Sequence, residues 1–233
     1  MSRGLGDVYK RQGDPFNSLM KLENTDSSPY NPMINAGAIV VASCLASEIS
    51  FDTMLDTIRA LCMDPDINLD KKVYHSEMSH ISRNRAIAYL LESKGYIEKN
   101  KDVENSLHFY VKMCSLSVTA ESLAGLGLIL ANDGIHPDTG KRLLSSQAVK
   151  IVKTLMFTCG MYDGSGEFAV RVGIPSKSGV GGGILSVVDG EMGIGIFGPA
   201  LDKKGNSVAG ECVLEYMSHE LHLHMFDPQR HTL

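Results

Sequence analysis

Apolar residues recur at intervals of three and four along most of the chain, which is the spacing of amphipathic helices. These stripes end at turn-forming residues, among them Asp64-Pro65 and Gly95. Thr119 and Ser145 each precede a predicted helix and have side chains that suit a helix N-cap. The pattern predicts helices over residues 51–63, 83–93, 102–114 and 146–157, and a closing helix over 205–226. A run of small, apolar residues after the Asn31-Pro32 turn predicts a buried helix over 35–48, and a second run of small residues predicts a helix over 120–131.

After Gly160 the pattern changes to short apolar runs of β-type residues, separated by Gly and Pro. Asp189-Gly190 lies between two of these runs and is a typical hairpin turn. The runs predict strands over residues 168–172, 183–188 and 192–197, whereas the polar stretch 66–82 predicts irregular surface structure. Helices in the middle and antiparallel strands late in the chain favour an α+β fold.

Length and charge narrow the possible classes of protein. The chain has 233 residues with 43% hydrophobic content, enough for one domain with a substantial core. Its 22 basic and 27 acidic residues give a net charge of −5 without a basic stripe, which argues against a nucleic-acid partner. No apolar run reaches membrane-spanning length, so we expect no membrane partner. Five scattered cysteines without a CxxC pattern predict reduced core thiols and a cytoplasmic protein.

The first twelve residues, MSRGLGDVYKRQ, show no periodicity. The segment DVYKRQ can be encoded by GAT GTG TAT AAG AGA CAG, a string that resembles a transposon end used to build sequencing libraries. We therefore expect residues 1–12 to be a non-native, adapter-derived tail that is excluded from fold reasoning. A natural, disordered N-terminal tail is the alternative.

The stretch PSKSGVGGGILSVV, residues 175–188, predicts an active-site strand. Lys177 supplies a fixed positive charge, and the amide of Val180 is placed to donate to a developing oxyanion. The glycines do not follow GxGxxG, and Lys177 precedes them, so neither a dinucleotide site nor a P-loop is indicated. A Gly-rich hairpin that needs close packing is the alternative.

Polar residues in unusual places supply further candidates. Asn35 begins an almost wholly apolar helix, where helix capping is the alternative role. Glu77 and Asn84 border a polar stretch, where a solvated loop is the alternative. Tyr110 lies on the apolar side of its predicted helix, and Tyr162 stands in CGMYDGSGEF between the last mid-chain helix and the first predicted late strand.

Taken together, the motifs resemble the glutaminase family. From about Phe16 to the C-terminal helix, six strings follow the order and spacing of that family: FNSLMKLE, NPMINAGAIV, SEMSHISRNRAIAYLL, FYVKMCSLSVTAESLA, CGMYDGSGEFA and PSKSGVGGGILSVV. The resemblance implies a serine-dependent L-glutamine amidohydrolase on a serine β-lactamase/transpeptidase-like α+β fold, an antiparallel sheet flanked by helices. It also implies L-glutamine as the small-molecule substrate, no cofactor, no metal, and a homo-oligomer (dimer or tetramer) when intact.

The resemblance assigns substrate-binding roles residue by residue. Asn35, in Asn-Ala-Gly-Ala, would bind the α-carboxylate region of glutamine. Glu77 would pair with the α-ammonium group, because a carboxylate is the natural partner of a buried cation. Asn84 and Tyr110 would complete the shell that recognises the amino acid.

The catalytic roles also follow from the resemblance. Tyr162 would transfer a proton next to the nucleophile, and Val180 would contribute its backbone N–H to the oxyanion hole; both would also contact the substrate. In the family, the nucleophilic Ser-x-x-Lys lies upstream of the position that matches Phe16, whereas Ser18 to Lys21 belongs to the FNSLMKLE motif. We therefore expect residues 13–233 to be a partial glutaminase catalytic domain that lacks the N-terminal strands and the nucleophile helix, and we expect this chain to be inactive.

Other interpretations remain open from the sequence. Ser82-Arg83-Asn84 resembles the Ser-x-Asn element of another acyl-enzyme of this fold, a β-lactamase or carboxypeptidase. A non-catalytic glutamine-binding remnant is a second alternative. His219, His222 and His224 suggest a metal site, although they do not share one helical face. Cys159 suggests a cysteine hydrolase, although a lone thiol in apolar surroundings is usually inert.

Overall fold

The computed structural model describes residues 31–99 and 101–230, which divide into two compact units. Among these residues, the helical unit contains 31–60 and 65–118 without 100, and the sheet unit contains 61–64 and 119–230. The expected N-terminal tail, the FNSLMKLE motif and the Ser18–Lys21 segment lie outside the described residues.

Helices and one short β-ladder form the described part of the helical unit. Its elements are α1 (Asn35–Glu48), α2 (Phe51–Cys62, whose last two residues are counted with the sheet unit), β1 (Asn68–Leu69), α3 (Lys71–Ser79), α4 (Ser82–Ser93), α5 (Val103–Cys114) and β2 (Leu116–Ser117). β1 and β2 pair in antiparallel fashion. Fully buried Ile39, Leu91 and Leu107 bring α1, α4 and α5 together in one core, because their apolar stripes face each other.

The sheet unit combines a three-stranded antiparallel sheet with helices. Its described elements are α6 (Ala120–Ala131), α7 (Ser146–Cys159), a 3₁₀ turn (Tyr162–Gly164), α8 (Ser165–Arg171), β3 (Ser176–Ser178), β4 (Gly183–Val188), β5 (Met192–Phe197) and α9 (Val208–Glu220). The strand order is β3-β4-β5. Lys177 pairs with Leu185, and Leu185 pairs with Gly195 across the sheet.

Helix α6 lies directly on β5 because glycines occupy the facing side of that strand. A Cβ atom at Gly195 would approach the carbonyl oxygen of Ala120 to 1.8 Å, and one at Gly193 would approach that of Ala124 to 2.1 Å. No larger side chain fits at either position without moving the helix. The alternation of glycine with larger apolar residues in Met-Gly-Ile-Gly-Ile of β5 is therefore the sequence feature that allows α6 to pack on this strand.

The structure confirms most of the predicted elements. The six mid-chain helices and the strands over 183–188 and 192–197 begin and end within two residues of their predicted bounds. Thr119 caps α6 in a reciprocal capping box with Ser122, and Ser145 caps α7 through the amide of Ala148. The α+β prediction is confirmed by the same elements.

Three local predictions are wrong. Residues 66–82 are not irregular, because they contain β1 and α3, whose N-cap Asp70 accepts hydrogen bonds from the amides of Lys72 and Val73. Residues 168–172 do not form a strand but belong mostly to α8. The closing helix does not run over 205–226, because it covers only Val208–Glu220.

The prediction that the cysteines are core thiols holds for only two of them. None of the five cysteines forms a disulfide, and Cys62 and Cys159 are buried, but Cys44, Cys114 and Cys212 are exposed. Each exposed thiol lies on the outward side of a helix, a side that apolar composition alone does not reveal.

In the described residues, no single helix has the length and apolar composition needed to cross a bilayer. Helices α1 and α2 reach that length and composition only together, across a bend of 115°.

Candidate functional site

In the helical unit, Asn35 and Asn84 are in direct contact. The Asn35 side-chain amide donates a hydrogen bond from Nδ2 to Oδ1 of Asn84 over 3.0 Å. Asn35 is the first residue of α1, and the N-cap is Ile34, so the helix-capping interpretation of Asn35 is wrong. Both amides are half-buried, and each fixes the orientation of the other. The pair presents amide N–H donors of the kind that bind a carboxylate.

Glu77 and Tyr110 lie on helices that pack against each other in the same unit. Glu77 is an exposed residue of α3, so the interpretation of its surroundings as a polar loop is wrong, as it is for Asn84 in α4. Tyr110 is half-buried on α5 and packs against the core of the helical unit. Helix α3 is held to α5 by a 2.6 Å hydrogen bond between the hydroxyl of Tyr74 and Nδ1 of His108.

In the sheet unit, the side chain of Tyr162 reaches the edge strand β3. Tyr162 is buried, and its hydroxyl donates a 3.0 Å hydrogen bond to the carbonyl oxygen of Ser178. The ammonium group of Lys177 donates to the same carbonyl and lies 4.5 Å from the centre of the Tyr162 ring. A cation over the face of a phenol is attracted by the ring electrons. A charged amine and a phenol hydroxyl therefore converge on one backbone oxygen.

The turn after β3 carries the Val180 amide. The Gly179 N–H donates to the carbonyl of Gly183, and the Gly182 N–H donates back to the carbonyl of Gly179, each over 2.9 Å. Gly182 has a φ of 95°, which favours glycine. None of the described residues accepts a hydrogen bond from the Val180 N–H, whose residue is half-exposed. This amide is thus available to an external acceptor, as an oxyanion donor must be.

Close packing brings the end of α7 against β3. A Cβ atom at Gly160 would lie 1.8 Å from the carbonyl oxygen of Ser176, and the Gly160 carbonyl accepts a 3.0 Å hydrogen bond from the Ser178 N–H. Gly160 therefore lets the chain turn beside the strand, so that Tyr162 follows two residues later within reach of Ser178. Sequence reasoning singled out Lys177 but missed the Ser178 carbonyl, and no side-chain pattern could have revealed a backbone acceptor.

The thiol of Cys159 is not an activated nucleophile. It donates a 3.0 Å hydrogen bond to the carbonyl of Leu155, and burial raises its pKa. A raised pKa keeps the group as a thiol, whereas a catalytic cysteine needs a lowered one. The cysteine-hydrolase alternative is therefore not supported.

Two of the three histidines of the suggested metal site contact carboxylates, and Nδ1 of the third, His224, accepts a 3.1 Å hydrogen bond from the Phe226 N–H. His219 Nδ1 lies 3.0 Å from Glu220 Oε1, and His222 Nδ1 lies 3.1 Å from Asp227 Oδ2. Over residues 31–99 and 101–230, no group of three His, Cys, Asp or Glu side chains is arranged to hold a metal ion.

Comparisons with known proteins decide the family. The family model described as glutaminase matches residues 9–226. The chain belongs to the glutaminase family. The glutaminase of Clostridioides difficile strain 630 is 53% identical over 218 residues, which are 92% of this chain and 70% of that relative.

Solved glutaminase structures show the same fold. A Bacillus glutaminase crystallised with 4.3 M NaCl is 41% identical, with a TM-score of 0.86 over 97% of this chain and 80% of that chain. The Bacillus subtilis glutaminase YbgJ, in covalent complex with 5-oxo-L-norleucine, is 38% identical, with a TM-score of 0.80 over 97% of this chain and 76% of that chain. The chain therefore has the β-lactamase-like α+β fold of glutaminases, as the motifs predicted.

Proposed function

We propose that the protein hydrolyses L-glutamine to L-glutamate and ammonia through a serine acyl-enzyme. Membership of the glutaminase family supports the overall reaction. The observation that carries the catalytic part is the hydrogen bond from the Tyr162 hydroxyl to the Ser178 carbonyl, two residues before the available amide of Val180. It holds a proton donor beside the short segment, residues 178–180, that carries the candidate oxyanion donor.

The chemistry of the proposed reaction defines what each group does. A serine hydroxyl is a weak nucleophile near neutral pH and needs a neighbouring base to remove its proton. Its attack on the side-chain amide carbon forms a C–O bond and places negative charge on the carbonyl oxygen. The Val180 N–H would stabilise that oxygen, a contribution of roughly 3 kcal/mol for one such donor.

Tyr162 acts in the next step of the proposal. When the C–N bond breaks, the leaving nitrogen needs a proton, and the Tyr162 hydroxyl would supply it so that ammonia departs. Water then attacks the ester and gives one proton back to the Tyr162 oxygen. Cleavage of the ester bond releases glutamate, and the base returns its proton to the serine oxygen. The ammonium group of Lys177, 4.5 Å from the ring centre, would stabilise negative charge on the phenol oxygen between these two steps.

Four further residues would recognise the amino-acid end of the substrate. Asn35 and Asn84, joined by their 3.0 Å hydrogen bond, would bind the α-carboxylate region. Glu77 would pair with the α-ammonium group, and Tyr110 would complete the set of residues that recognise the amino acid. The proposal needs no cofactor and no metal.

A covalent intermediate is supported by one relative. The Bacillus subtilis glutaminase YbgJ forms a covalent complex with 5-oxo-L-norleucine after reaction with 6-diazo-5-oxo-L-norleucine. If the present protein works in the same way, the same reagent should add a mass of one 5-oxo-L-norleucine group, and intact-mass spectrometry would detect it.

Ammonia release from L-glutamine by the protein expressed from its complete gene tests the proposed function. The expected result is saturable release of ammonia and glutamate in equal amounts. A penicillin-type substrate serves as the second assay, because acylation by a β-lactam without glutamine turnover would favour the alternative acyl-enzyme. Glutamine binding without turnover, detected by calorimetry, would favour the non-catalytic remnant.

The domain description is part of the same proposal. We take residues 1–12 as a non-native tail and residues 13–233 as part of the glutaminase catalytic domain, although the family match begins at residue 9. Sequencing the locus from genomic DNA tests this, and recovery of the same twelve codons within a complete reading frame would refute it.

Assembly and location are proposed from the family resemblance. We expect a homo-oligomer, dimer or tetramer, that works in the cytoplasm, where free thiols such as the five of this chain stay reduced. Light scattering after size-exclusion chromatography measures the first point, and a monomer at working concentration would contradict it.

A further inference from the structure

The backbone of Tyr162 has an unusual conformation. Its φ is 52°, in the left-handed region that residues with a Cβ atom disfavour. The residue also begins the 3₁₀ turn that leads into α8. Such a conformation persists where the surrounding structure holds it in place. The direction of the Cα–Cβ bond, and thus the reach of the phenol to Ser178, depends on it.

Two buried polar side chains hold the peptide groups around Tyr162. The Ser165 hydroxyl accepts a 3.0 Å hydrogen bond from the Met161 N–H and donates a 2.8 Å hydrogen bond to the Tyr162 carbonyl. It therefore bridges the peptide group before Met161 and the one after Tyr162. Asn206, which is fully buried, donates from Nδ2 to the Met161 carbonyl over 3.3 Å. The peptide groups on both sides of Tyr162 are thus fixed by side chains.

Helix capping does not account for Ser165. Ser165 is the first residue of α8, and the N-cap of that helix is Gly164, without a side-chain capping bond. The Ser165 hydroxyl points back to Met161 and Tyr162, so it serves the turn before the helix and not the helix itself. The sequence GMYDGSG places this serine three residues after the tyrosine, which is the separation that the bridge requires.

We propose that Ser165 is a positioning residue for proton transfer by Tyr162. Its hydroxyl holds Tyr162 in the left-handed conformation, and this conformation keeps the phenol on the Ser178 carbonyl beside the turn that carries the Val180 amide. The inference rests on the proposed function, because it assigns Ser165 a part in that reaction through Tyr162. It predicts that loss of the Ser165 hydroxyl slows the chemical step and leaves substrate binding intact.

A set of variants of the protein expressed from its complete gene tests the proposal. Ser165→Ala should lower kcat about tenfold or more with KM changed less than about twofold, and Ser165→Thr, which keeps a hydroxyl, should recover part of the loss. In a Tyr162→Phe background, Ser165→Ala should cost nothing further in kcat, because the group it positions is already absent. Independent, multiplicative losses in the double variant would overturn the proposal.

Ser218→Ala is the matched control. Ser218 is 2% exposed, as is Ser165, and its hydroxyl also donates to a backbone carbonyl, that of Val172 over 2.6 Å. The control removes an equally buried hydrogen bond elsewhere in the sheet unit. It should leave kcat within about twofold of the wild type. A loss of kcat as large as that of Ser165→Ala would mean that general loosening of the unit explains both, and would refute the positioning role.

A crystal structure of the Ser165→Ala variant separates this inference from the proposed function. If the wild-type protein releases no ammonia from glutamine, the proposed function fails, and the structure alone decides about Ser165. A Tyr162 hydroxyl displaced from the Ser178 carbonyl, or a φ outside the left-handed region, supports the positioning role. An unchanged Tyr162 in the variant refutes it.

Discussion

Tyr162 is the residue around which the proposed proton transfer is organised. It combines a left-handed backbone, a buried phenol, a hydrogen bond to Ser178 and an ammonium group over its ring. Several of these features are costly in isolation, since burial of a polar hydroxyl and a left-handed conformation both disfavour folding. Their coincidence at one residue is typical of a functional position.

Also at the scale of single residues, the hydrogen bond between Asn35 and Asn84 leads to a prediction about substrate binding. In the complete protein, Asn84→Ala should raise KM for glutamine about tenfold with little change in kcat, because it removes a binding contact that is equal in the ground and transition states. Asn105→Ala is the control, since Asn105 is an exposed asparagine on α5 of the same unit. Equal KM values for Asn84→Ala and the wild type would contradict the assignment.

The buried thiol of Cys62 leads to a prediction about how the free energy of unfolding depends on pH. Burial raises the pKa of its thiol from 9.0 to about 11, and the nearby Asp64 carboxylate acts in the same direction. The folded protein then keeps the proton at pH values where the unfolded chain releases it. The resulting stability is complete below pH 9 and is lost as the pH rises from about 9 to about 11.

Urea unfolding at pH 8 and pH 10.5 measures this effect. The wild type should lose more stability between the two pH values than Cys62→Ala, which has no thiol to titrate. Parallel losses in the two proteins would show that Cys62 does not contribute.

At the scale of helices and strands, the errors of sequence reasoning have physical causes. Helix α3 was missed because its sequence, KKVYHSEMS, is polar and buries none of its side chains fully, so no stripe appears. Its start signal was nevertheless present, because Asp70 is a typical N-cap. Glu77 could have been placed on a helix by that signal alone.

Helix α8 was mistaken for a strand because FAVRV is rich in β-branched and aromatic residues. Phe168 and Val172 are 3% and 0% exposed, whereas Val170 between them is 79% exposed. A strand would bury all three, since residues two apart share a face. Only the exposure of Val170 in the folded protein shows the helical spacing of four, and five residues of sequence are too few for the pattern to decide.

The close contact between α6 and β5 predicts that the protein is sensitive to any added side-chain volume at the glycines of β5. Gly195→Ala should destabilise the protein by about 2 kcal/mol, because the new methyl group would meet the Ala120 carbonyl oxygen, which is fixed within α6. Gly181→Ala is the control, since a Cβ atom there meets nothing within 4 Å. Urea denaturation of both variants checks the prediction, and equal midpoints would show that α6 yields easily to the added group.

At the scale of the whole molecule, the family and the fold were accessible from sequence, and the contacts within the site were not. Six motifs in the right order sufficed to predict the glutaminase family and its α+β fold. The Asn35–Asn84 contact joins residues 49 positions apart, and Tyr162 reaches a backbone oxygen 16 positions away. Neither separation follows a helical or strand period, so only the folded chain reveals these contacts.

The central claim, that Tyr162 transfers a proton in glutamine hydrolysis, is tested most directly by steady-state ammonia release from the Tyr162→Phe variant of the complete protein. Phenylalanine keeps the ring and removes only the hydroxyl. Tyr216→Phe, at an exposed tyrosine of α9, controls for loss of a phenol elsewhere. The account predicts a fall in kcat of about 10²- to 10⁴-fold with KM nearly unchanged. A Tyr162→Phe variant that turns over glutamine as fast as the wild type would contradict it.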